Sequence, residues 1–547
     1  MTFIEVKFLF FLIAVFFTFY ICPVKYRWIV LLCSSIVFYA IAGVKYLPFI
    51  FVTSLSVYLA GRKMGQIYEK QDEAAKCADL SRKEKKALKD QAKAKCKKTV
   101  VLVLVLNIGI LAICKYMKFF IEPLNGLISR AGGNGHLTAA SIIVPLGISY
   151  YTFSSLSYLL DVYWRRVDWE RSYPRFLLYL IYFPHILQGP IERYGRLGER
   201  LKQELRFDYQ RVTFGVQLIL WGFMKKLILA DRLNTYISGV YRSYEEAGGL
   251  LFVVAALFDV VYIYADFSGC MDMARGISQI FGVELDLNFD HPFASKSIAE
   301  FWRRWHITLG EWFRDYVYYP VSTSKLVKNI GRKTRNTLPP RMCRLAMNFF
   351  PITVTWILTG LWHGTGKTYL AWGIYYAFML LMSSTFGEDM HQLAVRMKIN
   401  TETVSWKLFQ MGRTALIFAG GRLLTRPGGL WKTKYIIKNI LTTFNPWVLT
   451  DGSLFQFGFS ISDMVIAVAF LALFGVVGWY QQKTSIREAI ARQGLVFRWI
   501  LYLAGVLAVL VFGIYGPGYN ASSFEYMAYY MGALRRYRMD LYFRGYL

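Results

Sequence analysis

The chain has 547 residues, of which 55% are hydrophobic, 17% aromatic and only 18% charged, with a mean hydropathy of +0.33. A soluble domain carries about 25% charge, so too little polar surface is present to wrap a water-facing core of this size. Lys and Arg number 64 against 35 acids, a net charge of +29; these figures exclude a disordered tail protein, a secreted disulfide scaffold and an ordinary cytosolic enzyme, and leave a membrane-embedded protein with basic loops.

The N-terminal stretch MTFIEVKFLFFLIAVFFTFYIC has no strongly basic n-region and no small-residue cleavage site, so it reads as an uncleaved first span. Crossing about 30 Å of hydrocarbon takes about 20 mostly apolar residues. Spans are predicted near 5–22, 28–43, 45–60, 99–120, 140–160, 212–230, 249–266, 345–362, 369–386, 408–422, 462–480 and 496–515. The fold class is therefore an all-α integral membrane protein, one membrane domain over 1–547, with about 11–13 transmembrane segments. Segment 176–188 (FLLYLIYFPHILQ) is too short to cross and suits a re-entrant or half-buried piece. Past 400, GRLLTRPGG interrupts the apolar pattern near 421–429.

Charge sets the orientation. Loop 61–98 holds thirteen Lys/Arg against six acids and belongs in the cytoplasm by the positive-inside rule, which puts the N-terminus outside. Loop 121–139, with a single Arg, falls outside; 161–175, with Arg165, Arg166, Arg171 and Arg175, falls inside. So does 325–344, with seven Lys/Arg and no acid. The part 69–98 is rich in Ala, Lys and Glu without Pro or Gly and reads as an exposed polar helix, a connector that enforces topology. The basic residues alternate with apolar segments and form no continuous patch, which argues against a nucleic-acid partner. Seven scattered cysteines without a CxxC pair imply neither a disulfide framework nor a zinc site, and no metal-ligand spacing occurs among the histidines.

Three clusters carry possible chemistry. On a continuous helix over 300–320, Trp302, Trp305, Leu309, Trp312, Phe313 and Tyr316 fall in one stripe about 100° wide. Arg304, Thr308, Glu311 and Asp315 lie opposite and His306 at the stripe's border, the pattern of a helix lying in the membrane interface. His363, within Thr359-Gly360-Leu361-Trp362-His363-Gly364, ends an apolar segment, and an intramembrane histidine is a functional candidate by default. Neutral imidazole can take a proton from a hydroxyl near pH 7, and the flanking glycines would let a substrate approach the backbone. Gly364-Thr365-Gly366-Lys367-Thr368 ends like a phosphate-binding loop, but Leu361 stands where its first glycine belongs and no strand precedes it. The third cluster, Asp266, Ser268, Asp272 and Arg275, stands at the inner end of a span; Asp272 and Arg275 can pair at i,i+3, which favours structure or substrate positioning over catalysis.

Five motifs in order resemble a known family: Pro145-Leu146-Gly147-Ile148-Ser149-Tyr150-Tyr151-Thr152-Phe153, Gln188-Gly189-Pro190-Ile191-Glu192-Arg193, Asp266-Phe267-Ser268-Gly269, Phe301-Trp302-Arg303-Arg304-Trp305-His306 and Gly360-Leu361-Trp362-His363-Gly364. The series is similar to the membrane-bound O-acyltransferases (MBOAT), in the bacterial branch that includes the membrane protein of alginate O-acetylation. A more distant likeness is to the D-alanyl transfer protein of teichoic acid modification. The resemblance implies a ring of transmembrane helices with re-entrant and interfacial helices, thinned at the centre, with opposite tunnels for a cytoplasmic acyl donor and an outer acceptor. It implies that His363 is catalytic and His306 a second functional position, with Trp302, Arg303, Arg304, Trp305, Trp362, Asp266, Ser268 and Asp272 along the substrate and donor tunnel. The implied donor is acetyl-CoA, as substrate; no bound cofactor or metal is expected.

A basic inner face around Arg303, Arg304 and 325–344 would attract the donor's phosphates. Ser268 is the one candidate for an acyl-enzyme nucleophile. Gln188 and Cys270 depart from the family pattern, as does the end of the chain, Phe524 to Tyr530 followed by a basic tail 531–547 with Arg535, Arg536, Arg538 and Arg544. The expected function is O-acetylation of an extracellular polysaccharide from the bacterial cytoplasmic membrane, directly or through an SGNH-type periplasmic or surface transferase. The rivals are D-alanyl or other acyl transfer to an envelope polymer or lipid, and a polysaccharide or lipid transporter. Transporters of that kind show paired halves with broken helices, and no internal repeat is present.

Overall fold

A computed structural model describes residues 2–77, 80–131, 145–514 and 524; most of the predicted C-terminal departures and the basic tail lie outside them. Among the described residues the fold is helical, without strands, and one antiparallel bridge joins Phe289 to Trp305. Nine helices among them are long and apolar enough to cross a membrane, and the protein is an all-α, multi-span membrane protein. Each predicted span coincides with a helix, the span at 140–160 being described from 145 onward. Val6–Ile21, Ile148–Tyr163 and Val404–Thr425 are not among the nine.

The described chain divides into two compact units. In the first, formed by residues up to Thr213 with Ile277–Asp286, the polar stretch 69–98 is the far end of a helical hairpin. Its arms are Leu47–Cys77 and Arg82–Arg130, and the second arm starts at a reciprocal cap between Ser81 and Glu84. Ile148–Tyr163 is buried on nearly every face. Its Ser155 and Ser157 hydroxyls donate to backbone carbonyls three or four residues back, so it meets protein on all sides and not lipid. Segment 176–188 is not half-buried but wholly buried: Tyr173–Ile181 and Phe183–Ile186 break at Tyr182, and Phe183 packs against Phe11 and Phe38.

The second unit comprises Phe214–Gly276 and the described residues from Leu287 onward. Of the nine, Leu250–Ile280 has the largest share of its apolar window covered, 61%, whereas Ile461–Gln481 and Leu495–Phe512 have only 6% covered. Exposed Val465, Val468, Leu507 and Leu510 on the latter two face hydrocarbon, the medium in which apolar exposure costs nothing. Val404–Thr425 is one unbroken helix through the region where GRLLTRPGG interrupts the apolar pattern, and turns only after Thr425. A π-helical turn, Met224–Ala230, places Lys225 and Lys226 inward; Lys226 Nζ lies 2.6 Å from Asp266 and 2.8 Å from Asp231.

Candidate active site

The interfacial helix expected over 300–320 does not form as one piece. Helix Ile298–Arg304, capped by the Ser297 hydroxyl, stops at an extended Trp305. His306 follows in the left-handed region (φ 49°, ψ 51°), and a new helix runs Ile307–Phe313. The break is made by a distant partner. Asp290 N–H donates to Arg304 O at 2.9 Å and Ile307 N–H donates to Asn288 O at 3.1 Å, pairing 288–290 with 304–307 antiparallel. A non-glycine residue at positive φ costs on the order of 1–3 kcal/mol and persists only where the surroundings fix it. The apolar stripe faces protein and not the membrane interface: Trp305, Leu309, Trp312, Phe313 and Tyr316 are buried, and so is Thr308, expected on the polar face.

His306 is 3% exposed, with Phe267 edge-on at 4.8 Å and Trp362 at 5.8 Å between ring centroids. Asn288, 1% exposed, accepts at Oδ1 from Thr308 N–H (3.1 Å) and Thr308 Oγ1 (3.0 Å), and that oxygen lies 3.3 Å from His306 Nδ1. Burial pushes the His306 imidazole down to about 3, which keeps it neutral.

His363 is the last residue of helix Pro340–His363. Its ring centroid lies 6.4 Å from that of His306, 5.0 Å from Trp372 and 4.8 Å from Trp362. The glycines beside it serve packing, in place of the substrate approach expected of them. A Cβ on Gly360 would collide with Tyr369 O, one on Gly364 with the Tyr369 ring, and one on Gly373 would lie 2.5 Å from Trp356 O. Helices Pro340–His363 and Lys367–Arg396 therefore touch backbone to backbone. That closeness brings Trp356, Trp372 and Tyr376 around Trp302, at 4.8, 5.8 and 4.8 Å.

Both histidines line one cavity of about 740 Å³ with Trp302, Arg303, Trp305, Arg314 and Arg422. A second cavity of about 540 Å³ lies across the Phe289–Trp305 bridge, lined by Asn288, Ser268, Lys225, Asp272, Arg275 and Arg487 with apolar side chains of the two lipid-facing spans. Both fall in the size range of small-molecule sites. The predicted tunnel residues thus separate. Trp302, Arg303 and Trp305 join the histidines, and Trp362 meets both histidine rings edge-on. Ser268 and Asp272 go to the second cavity, where Asp272 pairs with Lys225 at 2.7 Å instead of Arg275. Asp266 belongs to the buried Lys226 cluster, and Arg304 pairs with Glu300 at 3.0 Å.

Sequence reasoning passed over Asn288, Trp356, Trp372 and the Arg422–Asp259 ion pair. That pair had a signal: an aspartate inside 249–266 and an arginine at the end of 408–422 are both costly in an apolar run unless they meet. Asn288 had none, since its role exists only once 288–290 pairs with 304–307.

The membrane-bound O-acyltransferase family profile matches residues 170–338, a stretch that takes in His306 and ends before His363. The protein named "Probable alginate O-acetylase AlgI" from Pseudomonas syringae pv. tomato is 27% identical over 485 residues, 88% of this chain and 83% of its own length. Its namesake from Pseudomonas aeruginosa is 28% identical over 484 residues, again 88% and 83%. The teichoic acid D-alanyltransferase of Bacillus subtilis is 30% identical over 261 residues, 46% of this chain and 62% of that protein. Profile and relatives agree with one another and with the multi-span helical fold, and together they support an O-acyltransferase similar to the membrane-bound O-acyltransferase family.

Proposed function

We propose that the protein transfers acetyl groups from a cytoplasmic donor, acetyl-CoA, for O-acetylation of an extracellular polysaccharide, working in the bacterial cytoplasmic membrane. The observation that carries this reading is the pair of histidine rings 6.4 Å apart on one aromatic-lined cavity. His363 takes the proton of the acceptor hydroxyl as the hydroxyl oxygen attacks the thioester carbonyl carbon. The carbon–sulfur bond then breaks, and the proton passes from His363 to the departing thiolate. General-base help of this kind is worth about 10²–10⁴-fold. Two cavities, one on either side of the Phe289–Trp305 bridge, support a reading with separate approaches for donor and acceptor, and the cationic Arg303 suits an anionic donor or polymer. The acetyl group passes to the polymer directly or through an SGNH-type surface transferase. Likeness to a D-alanyltransferase favours one second reading, D-alanyl transfer to an envelope polymer by the same chemistry.

The test uses purified protein in vesicles, radiolabelled acetyl-CoA and a polysaccharide acceptor. His363→Ala should lower transfer by about 10²-fold or more while insertion and thermal stability stay at the wild-type level. Full transfer by that variant removes His363 from the mechanism. Transfer of D-alanyl but not acetyl groups by the wild type selects the second reading.

A further inference from the structure

We infer that Asn288 is a positioning residue that holds His306 in a single tautomer, with the proton on Nδ1 and the acceptor lone pair on Nε2. The inference rests on the reading of His306 as part of the reaction site. Its first support is that the Asn288 amide has only one possible orientation. The Thr308 backbone N–H, 3.1 Å away, can only donate, so the atom it faces is the amide oxygen. The Thr308 hydroxyl donates to the same oxygen at 3.0 Å, and the amide nitrogen points the other way, to Met271 Sδ at 3.1 Å. The His306 Nδ1 that meets this oxygen at 3.3 Å must therefore carry the hydrogen. A neutral imidazole has one donor and one acceptor nitrogen, so Nε2 is the acceptor.

The second support is the backbone. Asn288 O accepts from Ile307 N–H at 3.1 Å, and His306 between these contacts is held at φ 49°. One residue thus fixes both the ring's protonation pattern and the turn that presents it. A free neutral imidazole favours the opposite tautomer, with its proton on Nε2, so the observed form needs a partner at Nδ1. In metal and hydrolytic sites the group hydrogen-bonded to the far nitrogen of a working histidine has this same task. Here a neutral amide does it, and the ring remains a proton acceptor.

The experiment uses the full-length protein in nanodiscs with selectively ¹⁵N-labelled histidine, as wild type, Asn288→Asp, Asn288→Ala, His306→Ala and the Asn288→Ala/His306→Ala double variant. Loss of one resonance pair in His306→Ala identifies its signals. Wild type and Asn288→Asp, whose carboxylate still accepts at Nδ1, should show protonated Nδ1 and bare Nε2, and Asn288→Ala should shift the proton toward Nε2. In acyl transfer, Asn288→Ala should lower kcat about tenfold or more with KM within about twofold. Asn288→Asp should restore most of that loss, and Asn288→Ala should cost nothing further on top of His306→Ala. A wild-type His306 protonated on Nε2, an unchanged tautomer in Asn288→Ala, or an equal loss in both backgrounds overturns the inference. A wild type that transfers no acyl group overturns the functional reading instead, and the ¹⁵N spectra still decide the tautomer.

Discussion

Glu192, in the segment between the buried helices and the Tyr194 turn, is fully enclosed and accepts the Asp286 backbone N–H at 2.7 Å. Burial first, and then the neighbouring Asp286 carboxylate, pushes its carboxyl up from the ordinary 4.5 to about 8. The folded protein therefore keeps a proton that the unfolded chain releases above pH 4.5. Stability contributed by this group is complete below that pH and is lost as pH rises toward 8. Glu192→Gln, a neutral isostere that still accepts from Asp286, should melt at a higher temperature than wild type at pH 8 and at nearly the same temperature at pH 5. Equal melting shifts at both pH values would show that Glu192 is ionised in the fold. Its motif was visible in the sequence and its protonation was not, because the burial that causes it comes from distant residues. The same holds for Asp259, whose oxygens lie 2.7 and 3.1 Å from the Arg422 guanidinium, with Arg426 at 3.2 Å. Each charge was legible as an anomaly in an apolar run, but nothing in the spacing pairs positions 163 residues apart.

Among the elements, the hairpin of Pro340–His363 and Lys367–Arg396 depends most on single small residues. Gly373→Leu should force the two helices apart, since even its Cβ would lie 2.5 Å from Trp356 O. Overpacking of this kind costs about 1–3 kcal/mol. The Trp356–Trp372 contact, now 5.7 Å between centroids, should open with it. The expected outcome is a lower melting temperature together with reduced transfer, read by thermal unfolding and acyl-transfer rate. Wild-type values in both would mean that the hairpin does not set the site. Glycine at this position was legible; its use in helix packing required knowing that the helices are neighbours. The helix expected over 300–320 failed for a related reason. The apolar stripe from Trp302 to Tyr316 fits a helical period, and periodicity cannot register one residue in the left-handed region. Pairing with 288–290 supplies backbone partners at the break and turns one amphipathic helix into two short ones with His306 between them.

For the molecule as a whole, the net charge of +29 and the apolar spans make a topological claim. Lys86, exposed on the polar arm of the hairpin, should face the cytoplasm. A Lys86→Cys variant in intact cells should resist a membrane-impermeant maleimide until the cells are permeabilised, while labelling from outside would invert the proposed orientation.

The sequence by itself determined the membrane, the helical class and the places of the apolar helices, and it singled out the two histidines as candidates, because hydropathy and local motifs are properties of neighbouring residues. Only the tertiary structure decided that the histidines share a cavity, that Ser268 and Asp272 line a different one, and that Asn288 faces His306 Nδ1. Those facts depend on backbone pairing and helix contacts between residues far apart in the chain, and no local pattern encodes them.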